Sequence, residues 1–573
     1  MAHCPRVNRP PRDRWHRPRS GESRGQALCG PYRTGACGSC HSVSGNWYKP
    51  AALGIAPRCR KAESQRMVPE LGNALPVVAS LPPMKLLSPL YRHPQDRPAV
   101  RVADDVFDYG RLTRDIDAMA RWLRLHGLEQ GDHVGLNHYR KHVTTYWEWI
   151  MQLGCLRAGL ASSIELGARA AQDRKAVLGW EGDFANADPG EQQLVFAPQG
   201  SAPLDEQLDI PDAVLPDDLE ERAQRIFQTS GSTGLPKLVR LGRDVLHYRV
   251  EQVWRSGYFG ADVCMHAAFR LLVTAGFRYP LAAWQAGGVV VLRALAREAA
   301  SPGPSIAAAS FIATSPFLMN QLAQALPGTL PGRERRTIQL VGGRTPIDLR
   351  NRLLGQIAGR VLVGYGTTET GLIAQGRSAV LARHPGATGF LVDGVEFEVV
   401  DAAGLPLPIG EEGDVRVRSP GMIETELRSA DAAEGPGWRD GWFYPGDRAI
   451  LFEDGMVAVT GRSAETANLG GLTIHLPQIE EAVASVPGVA GVGAVTINSA
   501  AEDILVVGVE AKASLDETEL RASLARFFPA EQRVWFVQLP QIPRSSMGKV
   551  TRGALRDMLK RELEAFRKAG QTA

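Results

Sequence analysis

The sequence predicts an α/β fold, in which a large N-terminal domain of layered sheets and helices precedes a small, mobile C-terminal α+β domain. One observation is length, since 573 residues suffice for two or more domains. A second is that strand-like segments alternate with segments of helical spacing from about residue 84 onward. The third is a change after residue 389 to short strands and tight turns. We therefore expect a large domain at 84–461 and a small domain at 462–573.

The individual elements follow from hydrophobic spacing and from glycine or proline turns. Two segments have helical spacing of their apolar residues, 109–128 and 144–160, and GDHVGLN at 131–137 predicts a turn and a strand between them. The segments that join apolar strands to a glycine-containing loop or turn are IFQTSGSTGLPKLVRL (226–241), RTIQLVGGRTP (336–346) and RVLVGYGTTETG (360–371). Short strands and tight turns are predicted in VEFEVVDAAGLPLPIGEEGDVRVR, 395–418.

Charge is distributed unevenly between the N-terminus and the rest of the chain. Residues 1–66 hold 13 Lys or Arg against three acidic residues; because the whole chain carries +3, the remaining 507 residues carry −7. The basic segment is rich in Pro, Gly, Arg and Ser without periodicity, so we expect it to be disordered. A mis-assigned start codon is an alternative explanation for this segment, because Met67 and Met84 both precede patterned sequence. The acidic body does not favour nucleic acid as a partner.

Cysteine usage indicates a reducing compartment. Five of the seven cysteines lie in residues 1–66, and the body contains only Cys155 and Cys264, so we expect a cytoplasmic protein without a disulfide framework. No uncharged apolar run reaches 18 residues, which predicts no membrane span. CGSCH at 37–41 has the c-type haem attachment pattern, and Cys29 and Cys59 could complete a zinc site with it. We interpret the pattern as chance, because no export signal is visible.

Four short segments carry residue types suited to nucleotide chemistry. They are QTSGSTGLPK (228–237), VGYGTTETG (363–371), WFYPGDRA (442–449) and PRSSMGKVTR (543–552). The first differs from the common G-x-x-x-x-G-K-[ST] loop, since Gly231 and Gly234 are only three apart and Pro236 precedes Lys237. Its backbone N–H groups, hydroxyls and lysine still suit a polyphosphate. A polar turn between strands is the alternative when this loop is considered alone.

The other three segments add groups for the rest of a nucleotide. Tyr365 between glycines suits stacking on a base, and Glu369 after two threonines suits Mg²⁺. Asp447 after a Pro-Gly turn suits a pair of ribose hydroxyls, and Lys549 follows a glycine near the C-terminus. In this order and spacing, the four segments resemble those of the adenylate-forming enzymes, which include acyl-CoA synthetases, peptide-synthetase adenylation domains and luciferases. The resemblance covers about residues 84–560.

The resemblance implies two half-reactions. A substrate carboxylate first attacks the α-phosphate of Mg-ATP to give an acyl-adenylate and pyrophosphate, and a thiol or amine then attacks the activated carbonyl. It also implies roles for individual residues. The residues for the β- and γ-phosphates are Thr229, Ser230, Gly231, Ser232, Thr233, Gly234 and Lys237; Gly342 and Gly343 line the adenine and acyl pocket. For the remaining contacts, Tyr365 stacks on adenine, Thr368 contacts the α-phosphate, Glu369 binds Mg²⁺, Asp447 and Arg462 hold the ribose, and Lys549 bridges the two reacting anions.

Two positions depart from the family pattern. Ala464 stands where relatives carry the hinge residue of the small domain, with Glu465 next to it, and Gly470 and Gly471 are expected to line the thiol channel. Arg270 stands where an aromatic residue or histidine is usual; it could bind a second acid group of the substrate or form a structural ion pair.

The expected activity is an acid–thiol ligase that uses CoA or the phosphopantetheine of a separate acyl carrier protein, acting on an aryl or fatty acid. The alternatives are a stand-alone amino-acid adenylating or amide-forming ligase, and a cysteine-rich module with an inactive ligase-like body. The expected pocket-lining stretch 264–290 contains no acidic residue, which weakens the amino-acid alternative, since the ammonium group of an amino acid needs an acidic partner.

Overall fold

The computed structural model describes the chain from residue 86 to residue 571, with internal gaps. The described ranges are 86–137, 146–164, 174–179, 184, 187, 190–198, 202–216, 218–229, 237–292, 304–326, 328–384, 386–423, 437–462, 465–469, 472–498, 503–511, 513, 515–525, 534–545 and 548–571. The predicted disordered extension at 1–66, with CGSCH and the two alternative start positions, lies outside these ranges. Within them, no helix is both long and apolar enough to cross a membrane.

The strands of the described residues alternate with helices through most of the chain. The strands are β1 (Pro98–Val102), β2 (Asp105–Asp108), β3 (His133–Asn137), β4 (Ala161–Ile164), β5 (Arg174–Gly179), β6 (Gln192–Val195), β7 (Gln224–Thr229), β8 (Lys237–Gly242), β9 (Cys264–Ala267), β10 (Val289–Val291), β11 (Phe311–Thr314), β12 (Thr337–Val341), β13 (Arg360–Thr367), β14 (Gly371–Arg377), β15 (Gly389–Leu391), β16 (Glu396–Val400), β17 (Glu412–Arg418), β18 (Trp438–Arg439), β19 (Trp442–Phe443), β20 (Asp447–Leu451), β21 (Met456–Arg462), β22 (Thr466–Leu469), β23 (Leu472–His475), β24 (Val489–Asn498), β25 (Asp503–Ala511) and β26 (Val534–Leu539).

The α-helices of the same residues connect these strands. They are α1 (Tyr109–Leu125), α2 (Tyr146–Arg157), α3 (Leu204–Gln207), α4 (Arg243–Trp254), α5 (Thr274–Gln285), α6 (Pro304–Ala308), α7 (Pro316–Ala325), α8 (Ile347–Gln356), α9 (Ser378–Leu381), α10 (Leu476–Ala484), α11 (Glu517–Ser523) and α12 (Arg552–Gln571).

Local sequence signals explain where several helices begin and end. The Asp108 carboxylate accepts a 2.7 Å hydrogen bond from the Arg111 N–H and caps α1, which ends before Gly127 in the left-handed conformation. Ser315 caps α7 through a hydrogen bond from the Leu318 N–H, and a proline occupies the first turn. The predicted helix at 109–128 is therefore confirmed with a slightly earlier end.

Two large sheets hold most of the strands of the described residues. One has six strands in the order β6-β5-β3-β4-β7-β8, parallel except for the last pair. The other has fifteen, and its path includes β14-β13-β12-β11-β9-β10-β1-β2, with β9 to β13 parallel. Buried apolar residues of helices such as α1, α2 and α5 form a core cluster with strands of both sheets. The predicted α/β class with layered sheets is confirmed.

The C-terminal part of the chain forms a smaller α+β arrangement. Strands β24, β25 and β26 make a three-stranded sheet, and its two faces contribute to two apolar clusters. One cluster includes residues of α10 and α11, and the other includes residues of α12. The division of the chain at residue 461 remains a prediction.

The glycines of the segment 360–371 have two different roles. The predicted strand and glycine turn are confirmed by β13 and the turn that closes at Gly371, while Gly364 and Gly366 lie within β13. A Cβ on Gly366 would overlap the carbonyl oxygen of Gly371 on the adjacent strand, so this position needs glycine for close backbone approach. The register also shifts between Tyr365 and Gly366, which marks an irregularity of the strand next to the candidate site.

The carboxyl ends of four parallel strands lie side by side. The register pairs Ala267 of β9 with Ala313 of β11, and Val341 of β12 with Gly364 of β13. β11 and β12 pair between them up to Thr314. Since ligands of open α/β sheets bind outside the carboxyl ends of the strands, this edge is the expected place for the substrate.

Candidate active site

The loop between β13 and β14 presents two of the predicted catalytic residues. Thr367 and Gly371 pair at the end of the hairpin, so Thr368, Glu369 and Thr370 form the connection. The Thr367 hydroxyl accepts a 3.1 Å hydrogen bond from the Thr370 N–H and closes the loop. Gly371 follows with φ +78°, a left-handed conformation that glycine adopts without steric cost. The loop therefore holds Thr368 and Glu369 beyond the end of β13.

A buried arginine on α4 supports this loop from behind. Arg249 donates hydrogen bonds of 2.9 Å to the Thr368 carbonyl and 3.0 Å to the Glu369 carbonyl, and two more, of 2.7 and 2.9 Å, to the Gly421 carbonyl. Burial lowers the pKa of Arg249 to about 9, and the nearby Arg278 contributes in the same direction while Glu369 opposes it. The guanidinium is thus still protonated at neutral pH, and it fixes the backbone of the loop.

The predicted base-stacking and ribose-binding residues meet directly. The Tyr365 hydroxyl donates a 2.7 Å hydrogen bond to Asp447 Oδ2, and Arg462 Nε lies 3.1 Å from Asp447 Oδ1. Asp447 begins β20 and pairs in register with Arg462 at the end of β21, which explains why these two side chains are neighbours. The structure therefore brings together three site residues that are separated by up to 97 positions in the chain, from 365 to 462.

The Asp447 carboxylate is almost completely buried, with 5% of the residue exposed. Burial raises the pKa of Asp447 above its usual range, while Arg462, the Tyr365 hydroxyl and Lys549 oppose the shift. Burial, followed by the Asp447 carboxylate, also raises the pKa of Tyr365 well above its usual value, so Tyr365 remains a hydrogen-bond donor at neutral pH. A buried acceptor with these partners is suited to hydrogen-bond the hydroxyls of a sugar.

Lys549 lies in a tight loop that precedes α12. The Ser545 N–H donates to the Lys549 carbonyl and the Gly548 N–H donates to the Ser545 carbonyl, both at 2.8 Å. Gly548 has φ +80°, again a left-handed conformation. Arg544 Nη1 adds a 3.0 Å hydrogen bond to the Gly548 carbonyl. These contacts define the direction in which the loop presents its lysine.

The Lys549 ammonium interacts electrostatically with residues predicted to bind ribose and magnesium. Lys549 retains accessible surface, yet crowding by protein lowers the pKa of its ammonium, and Arg462 contributes to the lowering. The carboxylates of Asp447, Glu465 and Glu369 oppose this shift, which places the ammonium within their electrostatic influence. The C-terminal lysine and the hairpin loop around Glu369 therefore belong to one site.

Contacts between α7 and the lysine loop hold this arrangement. A Cβ on Gly548 would overlap the ring of Phe317, so the glycine allows the loop to pack against that ring. The Arg544 guanidinium carbon lies 4.8 Å from the centroid of the same ring. Arg344 forms a 2.9 Å ion pair with Glu481 of α10. Residues before position 462 thus contact residues after it, at Gly548 and Arg544 in the lysine loop and at Glu481 in α10.

Several predicted site residues fall wholly or partly outside the described residues. The phosphate-loop residues outside are Ser230, Gly231, Ser232, Thr233 and Gly234; Ala464, Gly470 and Gly471 are also outside. Thr229 and Lys237 are described as backbone only, and they pair in register as the last residue of β7 and the first of β8. The two strands on either side of the loop are confirmed, and the phosphate contacts remain predictions.

The glycines after β12 follow the carboxyl end of that strand. Gly342 has φ +87°, and a Cβ on Gly343 would meet the ring of Pro316 at 3.7 Å, which is ordinary contact.

Arg270 is half-buried in the segment after β9, and its carbonyl accepts a 3.2 Å hydrogen bond from the Val273 N–H. Its role toward a second acid group remains a prediction.

A small apolar cavity lies at the carboxyl ends of β9 and β11 and beside the start of α5. It is too tight to admit a water molecule, so in this structure it is a gap in the apolar packing. The lining residues are Met265, Ala267, Ala268, Phe269, Ala275, Gly276, Pro280 and Ala313. Because β11 and β9 are two and three strand spacings of roughly 4.8 Å from β13, the cavity is about 10–14 Å along the sheet edge from the strand of Tyr365. None of these lining residues is acidic, which disfavours a substrate ammonium group there.

The residues present fit a magnesium nucleotide better than a resident metal ion. Among the described residues, no group of three or more His, Cys, Asp or Glu side chains is placed to hold a metal. Mg²⁺ that binds together with substrate phosphates needs only one or two carboxylates from the protein. Glu369 supplies one carboxylate, beside the Thr368 hydroxyl. This donor set fits a metal that arrives with ATP.

Two residues of the site were missed in the sequence. Arg249 lies in the same helical phase as the buried Val245, Leu246, Val250 and Val253, so a charged residue on an apolar face was the available signal. Phe317 follows the helix-initiating Pro316, and its pattern does not distinguish it from an ordinary core residue. Both act on segments far away in the chain, which sequence spacing does not reveal.

Comparison with known proteins is consistent with this geometry. A salicylyl-CoA synthase / salicylate adenylyltransferase from a Streptomyces species is 26% identical over 524 residues, which cover 81% of this chain and 91% of that protein. ATP-bound MatB from Rhodopseudomonas palustris has 22% identity and a TM-score of 0.70, over 83% of this chain and 99% of that one. An o-succinylbenzoate CoA synthetase from Bacillus subtilis, in complex with its acyl-adenylate intermediate, has 18% identity and a TM-score of 0.69, over 82% of this chain and 97% of that one.

The family model described as AMP-binding enzyme matches residues 89–425, which is more than half of the chain. That range contains the phosphate-loop segment and the hairpin loop with Glu369. The resemblance inferred from the four segments is therefore confirmed, and the chain belongs to the AMP-binding enzyme family.

Proposed function

We propose that the chain is an AMP-forming acid–CoA ligase, which activates a compact carboxylic acid with Mg-ATP and transfers the acyl group to the thiol of CoA. The observation that carries this proposal is the convergence of Lys549 with Asp447 and Glu369, because a cation is placed among the groups assigned to ribose and magnesium. The relatives named as CoA synthases and ligases support the choice of CoA.

The first half-reaction must bring two anions together. Asp447 and Tyr365 position the nucleoside, which leaves the α-phosphate near the Thr368 hydroxyl. Mg²⁺, held by the nucleotide phosphates and Glu369, would neutralise charge that develops on the phosphates. The Lys549 ammonium donates hydrogen bonds to the attacking carboxylate and to the α-phosphate, which lowers their mutual repulsion. The carboxylate oxygen forms the bond to phosphorus and pyrophosphate leaves.

The second half-reaction needs access for the thiol. The thiolate attacks the acyl carbonyl, and AMP leaves. The contacts of Phe317 and Arg344 with Gly548 and Glu481 must then break if the segment after residue 462 rotates to open a thiol channel at Gly470 and Gly471. The acceptor could be the phosphopantetheine of a separate carrier protein, which has the same thiol chemistry.

The relatives bear on the class of acid. The side chains at the carboxyl ends of β9 and β11 are apolar, which suits an acid with an apolar body. A relative matched over 91% of its length is named for salicylate, a compact aryl acid, whereas a relative named as a long-chain-fatty-acid–CoA ligase is matched over 63% of its length. We therefore favour an aryl acid over a fatty acid.

The experiment is a pyrophosphate-release screen of the full-length protein over aryl, short aliphatic and long-chain acids. Each acid is tested with ATP and Mg²⁺, with and without CoA, and the products are identified by mass spectrometry. The proposal predicts AMP, pyrophosphate and acyl-CoA with a compact acid, and no pyrophosphate when acid or Mg²⁺ is omitted. Folded protein that yields no acyl-adenylate or thioester from any acid contradicts it.

A further inference from the structure

The carboxylate of Glu465 reaches the helix that follows Lys549. Its Oε1 lies 3.1 Å from Nε of Arg552, the first residue of α12. The two side chains are 28% and 15% exposed, so solvent and salt screen this ion pair less than a fully exposed pair. Glu465 follows Ala464 in the chain, and neither half-reaction described above uses its carboxylate.

Arg552 is held by contacts with three segments of the chain. Besides Glu465, its Nη1 donates hydrogen bonds of 2.7 Å to Glu480 of α10 and of 2.6 Å to the Ala494 carbonyl of β24. The carboxylates of Glu465 and Glu480 thus bind different nitrogen atoms of one guanidinium. Loss of either carboxylate leaves the orientation of Arg552 less constrained.

The start of α12 carries the lysine loop directly. Lys549 lies three positions before Arg552. The Thr551 N–H donates a 2.9 Å hydrogen bond to the Pro543 carbonyl, which closes the loop on the residue just before the helix. A shift of Arg552 is therefore passed to the loop, and with it to the Lys549 ammonium.

The ammonium of Lys549 is also within the electrostatic influence of Glu465. Crowding by protein lowers the pKa of Lys549 and Arg462 adds to the lowering, whereas the carboxylates of Asp447, Glu465 and Glu369 oppose it. Of these carboxylates, Asp447 is predicted to hold the ribose and Glu369 to bind Mg²⁺. Glu465 has no predicted ligand, so its charge still acts on the ammonium when Mg-ATP is bound. On the segment of Lys549 itself, the charged neighbours are Arg544 and Arg552.

We propose that Glu465 is a positioning residue for Lys549 in acyl-adenylate formation and acts through its ion pair with Arg552. This inference rests on the proposed function and adds a residue to its first half-reaction. The carboxylate holds the start of α12, so that the lysine loop keeps the direction in which it presents the ammonium. Its charge also favours the protonated form of Lys549, which is the form that can donate hydrogen bonds to both reacting anions.

The variant Glu465→Gln tests this role, because the amide keeps the size of the side chain and removes its charge. Single-turnover pyrophosphate release is measured on the full-length enzyme with ATP, Mg²⁺ and salicylate or, if salicylate is not turned over, the best aryl acid of the screen. We expect this step to slow by about 10-fold. Transfer from the corresponding synthetic acyl-adenylate to CoA should keep the wild-type rate, and Glu465→Asp should recover part of the lost rate.

A labelling experiment measures the protonation of Lys549 without any acid substrate. Acetic anhydride reacts with the neutral amine, and trypsin does not cut after an acetylated lysine. The peptide 545–552, which contains a single lysine, therefore reports on Lys549 alone. Because removal of a nearby negative charge lowers the pKa of a lysine, Lys549 of Glu465→Gln should be acetylated at a lower pH than Lys549 of the wild type.

Two matched variants separate this role from a purely structural one. Glu480→Gln removes the other carboxylate of Arg552, and Asp557→Asn removes an exposed carboxylate of the same helix. We expect a lower unfolding midpoint in Glu480→Gln and an unchanged one in Asp557→Asn, with acetylation of Lys549 at the wild-type pH in both.

The outcomes that overturn the inference differ from those that overturn the proposed function. Equal losses of Glu465→Gln in both half-reactions, with acetylation at the wild-type pH, would show that Glu465 only stabilises the fold. Wild-type pyrophosphate release and wild-type acetylation in the folded variant contradict this inference alone. A wild type that releases no pyrophosphate with any acid contradicts the proposed function itself.

Discussion

The ring of Phe317 packs against Gly548, one residue before Lys549. This contact joins the first turn of α7 to the loop that carries Lys549. Phe317 is neither one of the predicted nucleotide-binding residues nor one of the cavity-lining residues named above, so we expect its effect on chemistry to act through the position of Lys549.

Phe317→Ala should therefore impair the first half-reaction. The loss of the ring removes the surface against which the loop docks, and we expect acyl-adenylate formation to slow by about 10-fold, since small displacements of a catalytic group have large effects on rate. Single-turnover pyrophosphate release measures this step. Transfer from synthetic acyl-adenylate to CoA should be unchanged, and an equal loss in both steps would show that Phe317 only supports folding.

Gly548→Ala should be more severe than Phe317→Ala. The added methyl group meets the ring of Phe317 and also requires a φ of +80° that alanine adopts at a cost of about 1 kcal/mol or more. Combining both substitutions should relieve part of the defect, because the steric overlap disappears. Strict additivity of the two losses in the same single-turnover assay would argue against direct contact.

Arg249 should be important for stability as well as for the site. Arg249→Met leaves the carbonyls of Thr368, Glu369 and Gly421 without their donors, at a cost of about 2–5 kcal/mol. The expected result is a lower unfolding midpoint and a raised KM for Mg-ATP. Arg255→Met is the matched control on the exposed face after α4, with an expected change within about 0.5 kcal/mol. An unchanged midpoint and KM in Arg249→Met would contradict the role of this arginine.

The pH dependence of the first half-reaction should follow Lys549. Because its pKa is lowered in the folded protein, the ammonium loses its proton at a lower pH than an unperturbed lysine, which titrates near 10.4. The rate should therefore be high below this lowered pKa and fall as pH rises through it. Lys549→Arg should be slower but lose this alkaline limb in kcat/KM for ATP. If kcat/KM falls at the same alkaline pH in the wild type and in Lys549→Arg, the titrating group is not Lys549.

The sequence identified the candidate site residues better than the residues that support them. Tyr365, Glu369, Asp447 and Lys549 lie in short segments whose residue types suit a nucleotide, so each could be recognised locally, and their nucleotide contacts remain predictions. The strand and turn predicted in 360–371 are both present, but the sequence did not show that Gly364 and Gly366 belong to the strand, because close approach of a neighbouring strand and a tight turn both require glycine. Arg249 and Phe317 act through tertiary contacts, and no local pattern identifies the segments they touch.

The half-reactions of Lys549→Ala test the central claim most directly. Removal of the charge aimed at two anions should slow acyl-adenylate formation by about 10²–10³-fold, as for other preorganised electrostatic groups. With synthetic acyl-adenylate supplied, the same variant should form acyl-CoA at nearly the wild-type rate. Normal pyrophosphate release by folded Lys549→Ala protein, or equal losses in both half-reactions, would contradict the account that Lys549 joins Asp447 and Glu369 in one adenylating site.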